Sequence, residues 1–293
     1  MTAQDVTPQD PTAQDVTPQD PTAQDTAQRD PDDGLGATGA DPALEAEFDT
    51  VAAWTEAAIA ELGEDHAIPA ACRGSGSPAD LAWLAEGLDL SGDDRFLDAG
   101  SGLGGPTAWL VREYADRWAG PVVLAEPMPH AAAASRRLFA RPAVAAWTEH
   151  LPLPDDAVDA AWCLGVLDTT DAKRDLLAEL HRVLRPGGRL GLLQLVARRE
   201  LSEELATNSF PSDQSFVADL EATGFRVLDR LDASTLPDAP PEWTQRADAV
   251  GAAITRDHGD DPANQEAERQ QGVLGRLMES GEVVTVLLRA QAC

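Results

Sequence analysis

The sequence predicts an α/β fold: a mostly parallel sheet flanked by helices. Two observations carry that expectation. From Arg95 onward, the apolar runs "RFLDA", "VVLAE", "AVAAW", "VDAAWCLG" and "RLGLLQLV" alternate with helical segments or loops. Near-continuous apolar strands of this kind belong to parallel sheets whose two faces are both covered. The end of the chain differs, with a helix "SDQSFVADLEATG", a strand "FRVLDRLD", a helical insert at about 238–279 and a last strand "EVVTVLLRA". Two strands with no strand between them point to an antiparallel pair closing the sheet edge.

In chain order, the first segment is a decapeptide repeat, "TAQDVTPQDP" from Thr2 and again from Thr12, then a degenerate "TAQDTAQRDP" from Thr22. A ten-residue unit with one Val and proline at its ends buries no core. Residues 1–41 therefore read as a disordered acidic tail. Residues 42–90 read as an N-terminal helical lid. In it, "PALEAEFDTVAAWTEAAIAEL" spaces Phe48, Val51, Ala52, Ile59 and Leu62 at near-helical intervals behind a proline. A joint, "CRGSGSP", leads to a second helix, "PADLAWLAEGLDL". Residues 91–293 form the α/β domain.

Composition narrows the function classes. The net charge of −29 comes from 51 acidic and 22 basic residues. Such a surface repels nucleic acid and anionic lipid, whose affinity rests on Lys and Arg. Arg136, Arg137 and Arg141 share one predicted helix and are too few to reverse that. Cys72, Cys163 and Cys293 lie far apart without a C-x-x-C, which suits a reducing compartment. The first residues lack the pattern of a signal peptide, and no apolar run reaches the ~18 residues of a membrane span. The expectation is a soluble cytoplasmic protein. No histidine pair has metal-ligand spacing, so no metal site is expected.

The informative stretch is "RFLDAGSGLGGPTAWL", Arg95 to Leu110. A strand ends on Asp98 and meets Gly100, Ser101, Gly102 and Gly104 before a helix. Gly100, Gly102 and Gly105 also satisfy the dinucleotide pattern G-x-G-x-x-G. Ligands bind beyond the carboxyl ends of parallel strands, and glycines let the backbone approach them. Asp98 decides between ligands. A carboxylate there opposes a pyrophosphate by about 1–4 kcal/mol at 4 Å, depending on the dielectric. S-adenosylmethionine has an ammonium, a sulfonium, one carboxylate and no phosphate. Asp98 can take part in holding the ammonium, directly or through water, while loop amides receive the carboxylate. Glu126, at the end of the second strand, is placed to accept the ribose hydroxyls of an adenosine. It serves NAD and S-adenosylmethionine equally. Met128 either packs on the adenine or belongs to the core.

These residues resemble the class I S-adenosylmethionine-dependent methyltransferases, in the small-molecule branch labelled type 11. The likeness runs from about Arg95 to Val196. "FLDAGSGLGG" is similar to the first family motif and Glu126 to its ribose acid. "HLPLPDDAVDAAWCLGVLDTTD" and "LLAELHRVLRPGGRLGLL" resemble its later signatures. The resemblance implies a Rossmann-like, seven-stranded sheet of order 3-2-1-4-5-7-6 with strand seven antiparallel. It implies S-adenosylmethionine as cofactor and a small-molecule methyl acceptor; the acidic charge already argues for neither a nucleic-acid nor a membrane partner. The family's adenine-contacting acid falls at Trp147, so Trp147 stacks on the ring or Glu149 reaches the amino group, with the Thr148 backbone alongside. Cys163 and Leu164 match positions lining the cofactor near its sulfonium. Pro186-Gly187-Gly188 matches a structural turn between helix and strand.

Methyl transfer from a sulfonium needs alignment in a water-poor site more than it needs a base. Asp168 is the candidate catalytic residue, able to accept a proton or hold an amine; an N-cap of the following helix is the alternative. His150 reads as exposed or packing, His130 as neutral to function and His181 as surface. Trp54 and Trp83 could help the N-terminal helices exclude water, Arg73 could meet an anionic group, and the insert at 238–279 is expected to set acceptor choice. An NAD-linked oxidoreductase and a non-catalytic cofactor-binding module are the competing readings. Asp98 and the lack of a Tyr-x-x-x-Lys pattern near Tyr114 oppose the oxidoreductase.

Overall fold

Residues 42–205 and 208–293 are described by a computed structural model of the chain. The repeat segment assigned to a disordered tail lies outside the described residues. Helix α1 (Pro42–Leu62) opens behind its proline, and a five-residue α2 (Ala67–Ala71) follows. Helix α3 (Pro78–Leu88) starts at a capping box. The Ser77 hydroxyl accepts from the Asp80 amide, and the Asp80 carboxylate accepts from the Ser77 amide. The joint between α2 and α3 is thereby held at its downstream end.

The sheet comes next. Strand β1 (Phe96–Ala99) leads to α4 (Gly105–Tyr114), β2 (Val122–Ala125) to α5 (Pro129–Phe139), and β3 (Ala143–Val144) to β4 (Val158–Leu164). Helix α6 (Lys173–Val183) and β5 (Leu184–Ala197) follow, then α7 (Asp213–Ala222) and β6 (Phe225–Asp232). The insert forms α8 (Pro241–His258) and α9 (Pro262–Glu279) before β7 (Val283–Ala292). The seven strands lie in the order β3-β2-β1-β4-β5-β7-β6. Strands β1 to β5 pair in parallel and β7 runs antiparallel to both neighbours, as the sequence and its resemblance lead one to expect.

Side-chain alternation on the central strands explains the layering. Ala161 and Cys163 of β4 join Leu97 and Ala99 of β1 in the core beneath α6 and α7. Ala160, Trp162 and Leu164 face the other way with Phe96, onto α3 and α4. Trp162 is fully buried and meets Phe96 edge-on at 5.1 Å, a contact worth about 0.5–1.5 kcal/mol beyond the area it buries. A third cluster joins Ala58 and Ile59 of α1 and Ala67 and Ala70 of α2 to Val250, Ala253 and Ile254 of α8. The insert is thus fixed to the N-terminal helices.

Two local expectations are corrected. The run "AVAAW" yields only a two-residue β3, since the chain leaves the sheet edge after pairing Ala143 and Val144 with β2. Pro186-Gly187-Gly188 sits inside β5. Leu184 already pairs with Val158, and the ladder resumes at Arg189 opposite Ala160, so the glycines bulge the strand instead of preceding it.

Candidate active site

The carboxyl ends of β1 to β4 come together at one edge of the sheet. After β1, Gly100 and Ser101 donate their amides to the Ala125 carbonyl of β2 at 2.9 and 3.0 Å. That ties the loop across two strand ends. Gly100 has φ +74°, and a Cβ there would lie 2.4 Å from Val166 Cγ2, so both conformation and space demand glycine. Gly102 has φ +53°, with open space where a side chain would project. The Ser101 hydroxyl is buried without a hydrogen-bond partner.

Glu126 faces this loop. Its Oε2 accepts from the Gly102 amide at 2.7 Å and its Oε1 from the Met128 amide at 2.9 Å. Burial lifts its carboxyl to about 7 against those two hydrogen bonds. Each oxygen keeps lone-pair capacity for a further donor. Met128 is half-buried beside it. Asp98 is buried under the loop and accepts from Thr107 Oγ1 of α4 at 2.6 Å; desolvation raises it to about 6. Its carboxylate is turned to α4, so its influence on a ligand runs through its field.

Past β3, Thr148 and Glu149 are buried and Trp147 is half-buried. A turn with the His150 amide donating to the Trp147 carbonyl at 3.0 Å holds them. Cys163 and Leu164 end β4 on opposite faces of the sheet. Burial and then the charges of Asp98, Glu149 and Asp168 push the Cys163 thiol well up. Acids from three strand ends therefore surround one side chain.

Asp168 lies in the short turn Leu167–Thr169 and is 3% exposed. Its Oδ2 accepts from Asn208 Nδ2 at 2.6 Å and its Oδ1 from Gln194 Nε2 at 3.3 Å. Its carboxyl is raised, by burial first. The N-cap alternative is overturned: Ala172 occupies that position in α6. Among the described residues, no ion pair engages Asp98, Glu126, Glu149 or Asp168. The nearby Lys173 spends its ammonium on the Thr170 carbonyl at 2.6 Å.

The remaining candidates scatter. Arg73 donates to Gln271 of α9, with Asp248 and Glu268 supporting its charge, so the joint is bound to the insert. Trp54 stacks on His258 of α8 at 4.2 Å. Trp83 lies on the α3 side of the sheet beneath the Arg289 guanidinium of β7, 3.8 Å from its centroid, away from the glycine loop. His150 is exposed. His181 is half-buried, not a surface residue, and meets the Phe225 ring edge-on at 5.2 Å. His130 is exposed but bonded: its Nδ1 lies 2.6 Å from Asp49 Oδ2, and its amide donates to Asp49 Oδ1 at 2.7 Å. Sequence reasoning missed Asp49, Thr107, Gln194 and Asn208. Of these only Thr107, in the first turn of the helix that follows the glycine loop, had a positional signal.

Residues 97–192 match the family model described as a methyltransferase domain. Methyltransferase GfsG of Streptomyces halstedii is 30% identical over 174 residues, 54% of this chain and 62% of that protein. A malonyl-[acyl-carrier protein] O-methyltransferase of Laribacter hongkongensis is 42% identical over 121 residues, 36% of this chain and 40% of that protein. The matches span about two to three fifths of these relatives' length. Geranyl diphosphate C-methyltransferase from Streptomyces coelicolor, solved with S-adenosyl-L-homocysteine, aligns at TM-score 0.56 and 19% identity, over 73% of this chain and 76% of that one. The [4+2]-cyclase SpnF aligns at TM-score 0.56 and 23% identity, over 72% and 80%. These structural likenesses concern the fold, and the sequence matches concern the domain. Residues 97–192 thus match a methyltransferase domain, within a chain that shares its fold with a methyltransferase solved with S-adenosyl-L-homocysteine.

Proposed function

We propose that the chain transfers a methyl group from S-adenosylmethionine to a small-molecule acceptor. One observation carries this: four buried carboxylates at the ends of β1 to β4, with no cation paired to them among the described residues. Buried charges are normally paired, and the missing partner is most simply a cationic ligand. A dinucleotide brings two further negative charges to this edge. The unpartnered Ser101 hydroxyl and the remaining lone pairs of Glu126 suit a ligand rich in N–H and O–H groups. The residues present fit the cofactor.

When bound, the cofactor supplies a methyl group on a positive sulfur, and the carbon–sulfur electron pair returns to sulfur as the acceptor's lone pair forms the new bond. The chain's own part is binding, alignment and exclusion of water. Glu126 would hold the ribose hydroxyls and the Gly100–Gly104 loop the amino-acid end. Trp147, Thr148 and Glu149 would bound the adenine, with Met128 against the ring, while Cys163 and Leu164 would line the methyl end. Asp168 would accept the acceptor's proton or hold an amine beside the transferred methyl. Helices α1 and α2, bound to α8, would close over the edge and keep water out; the insert α8–α9 would shape the acceptor pocket. The three free cysteines fit a reducing compartment, and the reading places the enzyme in the cytoplasm.

The [4+2]-cyclase SpnF shares the fold, so fold alone does not decide the chemistry. The test is calorimetric titration with S-adenosylmethionine, S-adenosylhomocysteine and NAD, then mass spectrometry across an acceptor panel for a methyl-sized gain. Binding of both nucleosides without NAD, and a methylated product, is expected. Preference for NAD overturns the proposal. Nucleoside binding with no methylation across the panel favours a non-catalytic module.

A further inference from the structure

The four buried acids lie along the sheet edge in strand order: Glu149 after β3, Glu126 after β2, Asp98 at β1 and Asp168 after β4. On the proposed function, on which this inference rests, ribose on Glu126 and adenine toward β3 leave the sulfur and amino-acid half over β1 and β4. The methyl donor and its spent product share adenosine, ammonium and carboxylate. They differ in one methyl group and one positive charge on sulfur. Glu126 and Glu149 face parts common to both compounds. Asp98 is turned beneath the loop to Thr107. Asp168 is the acid left on the β4 side.

Burial raises its carboxyl, and its hydrogen-bond partners work against that. Neutral amide donors, Asn208 Nδ2 and Gln194 Nε2, reach one oxygen each, and hydrogen bonds to both oxygens favour the anion over the acid. Among the described residues no ion pair within 4 Å engages it, the Lys173 ammonium acts on it only from farther off, and Gln194 Oε1 is itself buried without a partner. A buried anion held by neutral donors is stabilised strongly by a nearby cation and is left uncompensated when the cation becomes neutral. We propose that Asp168 is the specificity residue by which this site distinguishes the charged methyl donor from the neutral-sulfur product, favouring release of the product after transfer. Asn208 and Gln194 are positioning residues that hold the carboxylate.

The test needs no acceptor. Dissociation constants for S-adenosylmethionine and S-adenosylhomocysteine are measured on the full chain and on Asp168→Asn, together with an amine analogue of the donor that carries a positive charge in place of the sulfonium. The variant is expected to weaken the donor and the amine analogue by about tenfold, the scale of one Coulomb contact at intermediate dielectric. The product is expected to change by less than about threefold. Asn208→Leu, read the same way, should move the ratio in the same direction and serves if Asp168→Asn does not fold. Equal losses for all three ligands, or an unchanged donor-to-product ratio in a variant that still binds product, overturn the inference. Failure of the unaltered chain to bind either nucleoside would instead sink the proposed function.

Discussion

Burial leaves Glu126 with a carboxyl at about 7 and Asp98 with one at about 6, both above the ordinary carboxylate range. A raised acid keeps a proton in the folded chain after the unfolded chain has released it. Over roughly pH 4 to 7, therefore, the folded state loses stability as pH rises. A cationic nucleoside favours the ionised forms. Its affinity should climb as pH rises through about 6 and 7, with protons released on binding below that window. Titrations at pH 5.5 and 8, in buffers of different ionisation heat, check this; affinity independent of pH with no proton release would contradict it. The place of Glu126 beside the glycine loop was legible because a strand-end acid at that spacing faces the neighbouring strand's turn. Asn208 and Asp49 were not. Their partners lie 40 and 81 positions away along the chain, and such contacts exist only after folding.

At the scale of elements, α1 is fastened to α5 by residues seven positions apart, which place them on one helical face. Glu56 pairs with Arg137 through both carboxylate oxygens. Asp49 Oδ1 accepts from the His130 and Ala131 amides, at 2.7 and 3.3 Å, and so covers the N-terminus of α5. On its other side α1 meets α8 through Glu61–Arg256 at 2.8 Å and the Trp54–His258 stack. Exposed ion pairs contribute little each, a modest fastening that suits the proposed cover. Asp49 does more, since it satisfies helix-end amides four and five residues beyond Glu126. Asp49→Ala should cost about 0.5–2 kcal/mol of stability and speed nucleoside dissociation. Thermal melts and stopped-flow displacement measure both, and an unchanged dissociation rate would remove α1 from the role of cover. The strand pattern was legible because the parallel core is apolar on both faces. The edge strand β3 was misjudged in length because pairing on a single side leaves its end free to turn into the site wall.

For the whole molecule, charge sets two ranges of interaction that salt separates. Residues 1–41 hold nine Asp and one Arg of the −29 total. The strand-end carboxylates are buried instead, and buried charges are screened little by ions, whereas exposed ones are screened beyond ~10 Å at 0.1 M salt and ~3 Å at 1 M. If the strand-end acids set donor affinity, deleting residues 1–41 should leave the melting temperature unchanged and the S-adenosylmethionine dissociation constant within a factor of about two. Raising salt from low to high should then slow association more than it weakens equilibrium binding, because the diffuse surface field steers encounter while the buried acids hold the bound state. Stopped-flow association and calorimetry on the full and shortened chains give both quantities. A large loss of affinity on removing the repeat, matched by an equal loss in high salt, would move the determinant from the sheet edge to the surface field. The four buried acids would then need a partner other than the nucleoside.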